Sequence, residues 1–194
     1  MSMKTSVKDN KRKAILDAAT ELLALKQTAT LQEIADHARI GIATLHRYFS
    51  TRELLLDALA LNAIGLVEEA LGGVTVEEHD MLRFLTEVFE VLIPLGSKVF
   101  FLSYAASVDE NPHIVAEEAR IKQPLREAVE GWQARGLLNA GMPAHWIITV
   151  MYNLLFVAWQ EIQKGNLAKN DAPQLLVTTV IQGFGSGTGQ RDGG

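Results

Sequence analysis

Between Gly41 and Leu56 the chain reads GIATLHRYFSTRELLL. Ala43, Thr44, His46, Arg47 and Tyr48 crowd one short stretch, and their chemistry is that of polar and apolar contact with a polyanion. A Thr methyl or an Ala can touch a thymine methyl, and the Thr hydroxyl can bond a base or a phosphate. Arg47 can reach guanine or a phosphate, while His46 and Tyr48 are long enough to bond a sugar-phosphate backbone. Nothing comparable points to catalysis. His37, His46, His79, His113 and His145 are scattered, and no serine or carboxylate spacing suggests a triad or an acid-base pair. The chain has no cysteine, which excludes thiolate nucleophiles, thiolate metal sites and disulfides. One further constellation is Glu110, His113 and Glu117, with Asp109 adjacent. Its spacing suits a divalent cation held by nitrogen and oxygen, but acids also gather in a first helical turn because the dipole favours them there. The expectation is a protein that is not an enzyme, with no cofactor and no metal.

Residues on such a stretch act only if local structure turns them outward. Ile15, Ala18, Ala19, Leu22 and Leu23 recur at helical spacing and predict an amphipathic helix over 10–26. TLQE at 30–33 is a capping box, with Thr30 as N-cap and Glu33 reaching back to it. It opens a second helix that ends at ARIG, where Gly41 is expected to take a conformation that residues with a Cβ avoid. A third helix, about 42–49, turns Ile42, Leu45 and Phe49 inward. Two short helices joined by a tight turn and backed by an earlier apolar stripe make a helix-turn-helix, although the surface of any three-helix bundle offers the same pattern. STRE at 50–53 reads as a second capping box. It puts Arg52 in a first turn, where the dipole disfavours a cation unless a phosphate or open water receives it.

Charge is divided in the same way. The net charge is −5, yet residues 1–52 hold nine Lys and Arg against five Asp and Glu, leaving nine against eighteen for the rest. A basic front end on an acidic chain points to a polyanionic partner, or to a solvated helical face. The arm from Lys4 to Lys13 can follow a phosphate chain or enter a minor groove, or simply lie disordered. No apolar leader opens the sequence, and the longest near-apolar run, 146–159, falls short of the roughly 18 residues of a membrane span. These features predict a cytoplasmic protein without a membrane partner.

From about Lys11 to Leu56 the chain resembles the DNA-binding domain of the TetR/AcrR family of bacterial transcriptional regulators. The resemblance rests on AILDAATELLA, TLQEIADHARI and GIATLHRYFSTRELLL. The sequence departs from the family pattern at Ala43, His46 and Arg52, where Gly, Tyr and Lys are frequent. By that resemblance, Thr30, Thr44, His46, Tyr48 and Arg52 position the domain on phosphates, and Ile42, Ala43 and Arg47 read bases. The implied protein is a homodimeric regulator, most readily a repressor, that binds a pseudo-palindromic double-stranded DNA operator. A small, largely apolar effector would release it. The implied effector pocket draws on Phe101, Tyr104, Trp132, Tyr152, Asn153, Phe156 and Trp159, which pair apolar bodies with some polar handles.

The rest of the chain reads as helix with no strand alternation. One helix runs over 51–72 to a Gly72-Gly73 stop, Pro94-Leu95-Gly96 breaks another, and Asn111-Pro112 starts a third that Pro124 must kink or divide. The helix at 146–159 is apolar around most of its circumference, so it must bury more than one face. With the stripe Leu175, Leu176, Thr179 and Val180 it would form a four-helix bundle across a two-fold axis; a monomer with one central helix is the alternative. The fold class expected is all-α: a three-helix DNA-binding domain with a basic arm at 1–52, a helical effector-binding and dimerisation domain at 53–185, and a flexible Gly-rich tail at 186–194.

Overall fold

The computed structural model describes residues 2–74, 80–99, 101 and 111–186, with side chains from residue 8 onward. The helices are α1 (Ser2–Leu25), α2 (Leu31–His37), α3 (Ile42–Tyr48), α4 (Arg52–Leu71), α5 (Met81–Leu92), a 3-10 turn (Ile93–Leu95), α6 (Pro112–Ala134), α7 (Ala144–Gln163) and α8 (Ala172–Phe184). Residues 96–99 and 101 are also helical. Among the described residues there is no strand, only an isolated bridge between Leu138 and Gly185. The protein is all-α, as its periodicity requires.

Two compact units divide the chain, residues 1–66 with 97–118 and residues 67–96 with 119–194. In the first, α1 packs on α2 and α2 on α3. Ile15, Leu16, Ala19 and Leu23 are buried from α1, Ile34 and Ala35 from α2, and Leu45 and Phe49 from the α3 region. Leu16 and Thr20 join this core outside the expected stripe, Thr20 by donating its hydroxyl to the Leu16 carbonyl at 2.8 Å. In the same unit Lys98 pairs with Asp17 at 3.7 Å, and the Asn111 amide donates to Asp57 at 2.9 Å. In the second unit α5 packs on α8, α7 on α8, and the 3-10 turn on α7. Phe84, Leu85, Val88, Phe89 and Leu92 line the buried face of α5.

Several local expectations needed correction. The helix α1 begins at Ser2 rather than near residue 10, because nothing in that arm breaks a helix. The left-handed residue of the helix-turn-helix is Arg39, at φ 55°, whereas Gly41 sits at φ −70° in ordinary extended geometry. The helix α4 starts one residue later than the STRE box implies. Thr51, not Ser50, caps it, its hydroxyl accepting from the Leu54 N–H at 3.3 Å. Pro124 lies inside α6 without dividing it, at an exposed position where its ring displaces no core side chain. That helix ends at Gly136, whose φ of 71° lets the Leu137 N–H return to the Trp132 carbonyl at 2.9 Å.

Candidate nucleic-acid interface and effector cavity

The short helix α2 is set by its cap. The Thr30 hydroxyl accepts from the Glu33 N–H at 3.2 Å, and the Glu33 carboxylate accepts from the Thr30 N–H at 2.8 Å. Lys26 pairs with the same carboxylate. The Lys26 hydrogen bond foremost, then those from Thr30, lower the Glu33 pKa from 4.5 to about 2. This arrangement ties the end of α1 to the start of α2 and so orients the turn that delivers α3.

On α3, Leu45 and Phe49 are buried and hold the helix to the head. The Arg12 guanidinium stands 5.3 Å from the centre of the Phe49 ring, an additional clasp from α1. Ala43, His46 and Arg47 are exposed, and Ile42, Thr44 and Tyr48 are half-buried. The inward reading of Leu45 and Phe49 is what the structure has, but Ile42 keeps part of its side chain in solvent. Arg47 lies over the Tyr48 ring at 5.9 Å, and the His46 ring places Nδ1 3.3 Å from the Ser50 carbonyl. His46 thus uses one nitrogen within the chain and leaves Nε2 for an outside partner. A Cβ added to Gly41 would meet nothing within 4 Å, so the approach to the first turn of α3 is open.

Arg52 differs from the sequence expectation. Its guanidinium donates to the Ala29 carbonyl and, at 3.1 Å, to the Gln27 carbonyl. These bonds fasten the start of α4 to the turn between α1 and α2, and they offset the unfavourable helix dipole without a phosphate. The signal could not be read locally, because the partners lie 23 and 25 residues earlier.

Within the second unit a cavity of about 250 Å³ opens between α4, α5, α6 and α7. Its walls are Leu71, Val74, Phe84, Val88, Leu92, Ile121, Pro124, Leu125 and Tyr152, with Glu68, Arg120 and Gly72 at its polar part. Arg120 grips the Glu68 carboxylate with both terminal nitrogens, at 2.7 and 3.1 Å. Those bonds hold the Glu68 pKa below its ordinary value. Lys122 places its ammonium 4.9 Å from the centre of the Tyr152 ring.

Of the aromatics expected to line a pocket, Tyr152 does so. Trp132 is wholly buried and meets Phe84 edge-on at 5.6 Å, so it backs a cavity wall. Asn153 is exposed and donates to the Thr149 carbonyl at 2.9 Å. Phe156 and Trp159 stack on each other at 5.7 Å, and Trp159 packs against Gly96. Phe101 is buried in the first unit. Tyr104, Asp109 and Glu110 lie outside the described residues, as do 187–194 of the expected tail. Among the described residues no group of three metal-ligating side chains gathers, and no helix is long and apolar enough to cross a membrane.

A helix-turn-helix whose second helix turns an arginine, a histidine and an alanine to solvent has the form of a DNA-binding regulator of transcription. The comparisons give the family. The family model described as bacterial regulatory proteins, tetR family, matches residues 15–59. The HTH-type transcriptional repressor LfrR of Mycolicibacterium smegmatis is 31% identical over 175 residues, covering 79% of this chain and 93% of that one. An uncharacterised HTH-type regulator of Bacillus subtilis, YvkB, is 29% identical over 140 residues, 68% of this chain and 72% of its own. The crystal structure of LfrR from Mycobacterium smegmatis in complex with proflavine superposes with a TM-score of 0.67 at 28% identity, covering 89% of this chain and 96% of that one. The chain belongs to the TetR family. It is a DNA-binding transcriptional regulator, and the family's proteins are not enzymes.

Proposed function

We propose that the protein is a homodimeric repressor that binds a pseudo-palindromic operator in the cytoplasm and leaves it when a small, largely apolar effector binds. Residues 1–52 serve as the DNA-binding head, 53–185 as the effector and dimerisation body, and 186–194 as the tail. The observation that carries the reading is α3, with buried Leu45 and Phe49 behind it and exposed Ala43, His46 and Arg47 in front. Ile42, Ala43 and Arg47 read base edges, while Thr30, Thr44, His46 and Tyr48 hold phosphates. Arg52 acts by holding the turn before α2 in place rather than as a free phosphate contact.

Dimerisation is supported by exposed apolar side chains on two helices of the second unit. On α7, Trp146 and Val157 are 53% and 51% exposed, with exposed Thr149 and Asn153 between them at helical spacing. On α8, Leu175 is 50% exposed while its neighbour Leu176 is buried. Apolar side chains of this size aligned in solvent mark a surface that a second copy covers. Effector binding is supported by the cavity and by the proflavine held by LfrR. Release requires only that the effector prefer the non-binding state, since equal affinity for both states shifts nothing.

Selection from a random duplex-DNA pool at about physiological salt tests the reading, because non-specific phosphate binding is weak there. An enriched inverted repeat is expected. Arg47→Ala should relax base preference within it, and Trp146→Glu should sediment as a monomer and lose the repeat. A pool that enriches no sequence, with or without small aromatic effectors, overturns it.

A further inference from the structure

The turn of the helix-turn-helix holds an arginine where a glycine would rest more easily. At the end of α2 the Ile40 N–H donates to the Ala35 carbonyl at 2.9 Å, and the Arg39 N–H donates to the Asp36 carbonyl at 3.0 Å. Paired bonds of this kind reverse the chain after a helix by putting one residue in the left-handed region, where glycine is the usual occupant because a Cβ is strained there. Arg39 takes that position at φ 55°. Its side chain gives nothing back to the fold. It is exposed, and among the described residues its guanidinium makes no hydrogen bond or ion pair. Asp36, the carboxylate nearest in sequence, accepts from the Gln32 amide at 2.8 Å instead.

An exposed cation on a relaxed helix needs no special account, but one held at a strained backbone position points to a partner outside the chain. Its place says which partner. Arg39 stands two residues before Gly41, the N-cap of α3, and two residues of chain span at most about 7 Å. The guanidinium therefore belongs to the rim of the surface that presents Ala43, His46 and Arg47. A Cβ on the intervening Gly41 would meet nothing within 4 Å, so the chain does not screen that rim. The structure assigns to Arg39 a phosphate of the DNA backbone beside the groove that α3 enters. This rests on the DNA-binding reading above and adds a contact from the turn itself. A phosphate fits better than a base edge, because Arg39 precedes the recognition helix and its planar fork matches two phosphate oxygens. The position then exchanges fold stability for DNA affinity.

The test uses the full-length protein and two duplexes of equal length, one carrying the inverted repeat selected above and one without it. Arg39→Gly should unfold at a higher denaturant concentration than the parent and yet bind both duplexes about threefold to tenfold more weakly, with the slope of log affinity against log salt reduced by about one. Arg39→Ala keeps the strained turn and loses the charge, so it should show the same loss of affinity without the gain in stability. Arg39→Lys should keep the parent's slope. Parent-like affinity and slope in Arg39→Gly overturn the assignment, because the cation would then be idle on DNA. A loss in Arg39→Gly that Arg39→Ala does not share also overturns it, since a loosened turn rather than a missing charge would be responsible. A loss confined to the repeat-bearing duplex overturns the phosphate and gives Arg39 to the base edges. A parent that binds neither duplex even at low salt is a different failure: it removes the DNA-binding reading, and this contact with it.

Discussion

Replacing Arg52 separates two roles that the sequence alone runs together. In Arg52→Ala two carbonyls lose a charged donor. Ala29 is wholly buried, so water does not replace the guanidinium there, and the loss is about 1.5–3 kcal/mol. Gln27 is exposed and its carbonyl rehydrates, which holds that loss below about 1 kcal/mol. Removing a cation from the first turn of α4 returns about 0.3–1 kcal/mol. The net expectation is a destabilisation of about 1.5–2.5 kcal/mol, or roughly 4 to 8 °C in Tm for a chain of this size. Thermal unfolding followed by circular dichroism reads that loss, and operator titrations at several salt concentrations read the phosphate count. The salt slope should stay within error of the parent's when measured well below the transition. Parent-like melting with a slope reduced by about one would refute the reasoning and return Arg52 to the phosphates.

Arg39→Gly should raise the denaturant midpoint by an amount worth about 0.5–1 kcal/mol with m unchanged, because φ 55° strains a side chain more than glycine's flexibility costs in the unfolded state. Gly96→Ala should destabilise by about 2–3 kcal/mol in the same denaturant titration, since its Cβ would stand 2.3 Å from Trp159 Cβ and 3.1 Å from the Leu155 carbonyl oxygen. Glu33 gives a pH signature. Its folded pKa is lowered from 4.5 to about 2, so its contribution to stability is complete above the ordinary carboxylate range and is lost as pH falls toward 2. The stability gap between the parent and Glu33→Gln should therefore be constant near neutrality and narrow between those two values; a gap that widens in acid would contradict the Lys26 and Thr30 bonds assigned to it.

Much of the head was legible because its signals are local. Apolar spacing of three and four residues places Ile15, Ala19, Leu23, Ile34, Leu45 and Phe49 in the core, and the Thr30 cap depends on a residue three positions away. The split of α8 was half legible. Leu175, Leu176, Thr179 and Val180 form one stripe in sequence, but only Leu176 and Val180 enter the core. Periodicity says which residues share a side of a helix; it does not say where the core ends and an outward face begins.

The sequence by itself determined the all-α class, the presence of three helices in the head and the exposure of Ala43, His46 and Arg47 on α3, since hydrogen bonding and apolar burial within a helix depend on neighbours a turn apart. Tertiary structure alone decided the rest. Arg52 turns back to carbonyls 23 and 25 residues away, and Arg39 rather than Gly41 bears the positive φ of the turn. The cavity joins Glu68 to Arg120 across 52 residues and recruits Val88, Leu92 and Leu125 in place of most of the expected aromatics. A cavity is the space left where helices fail to fill one another, and that depends on how separate surfaces meet, which no local pattern encodes.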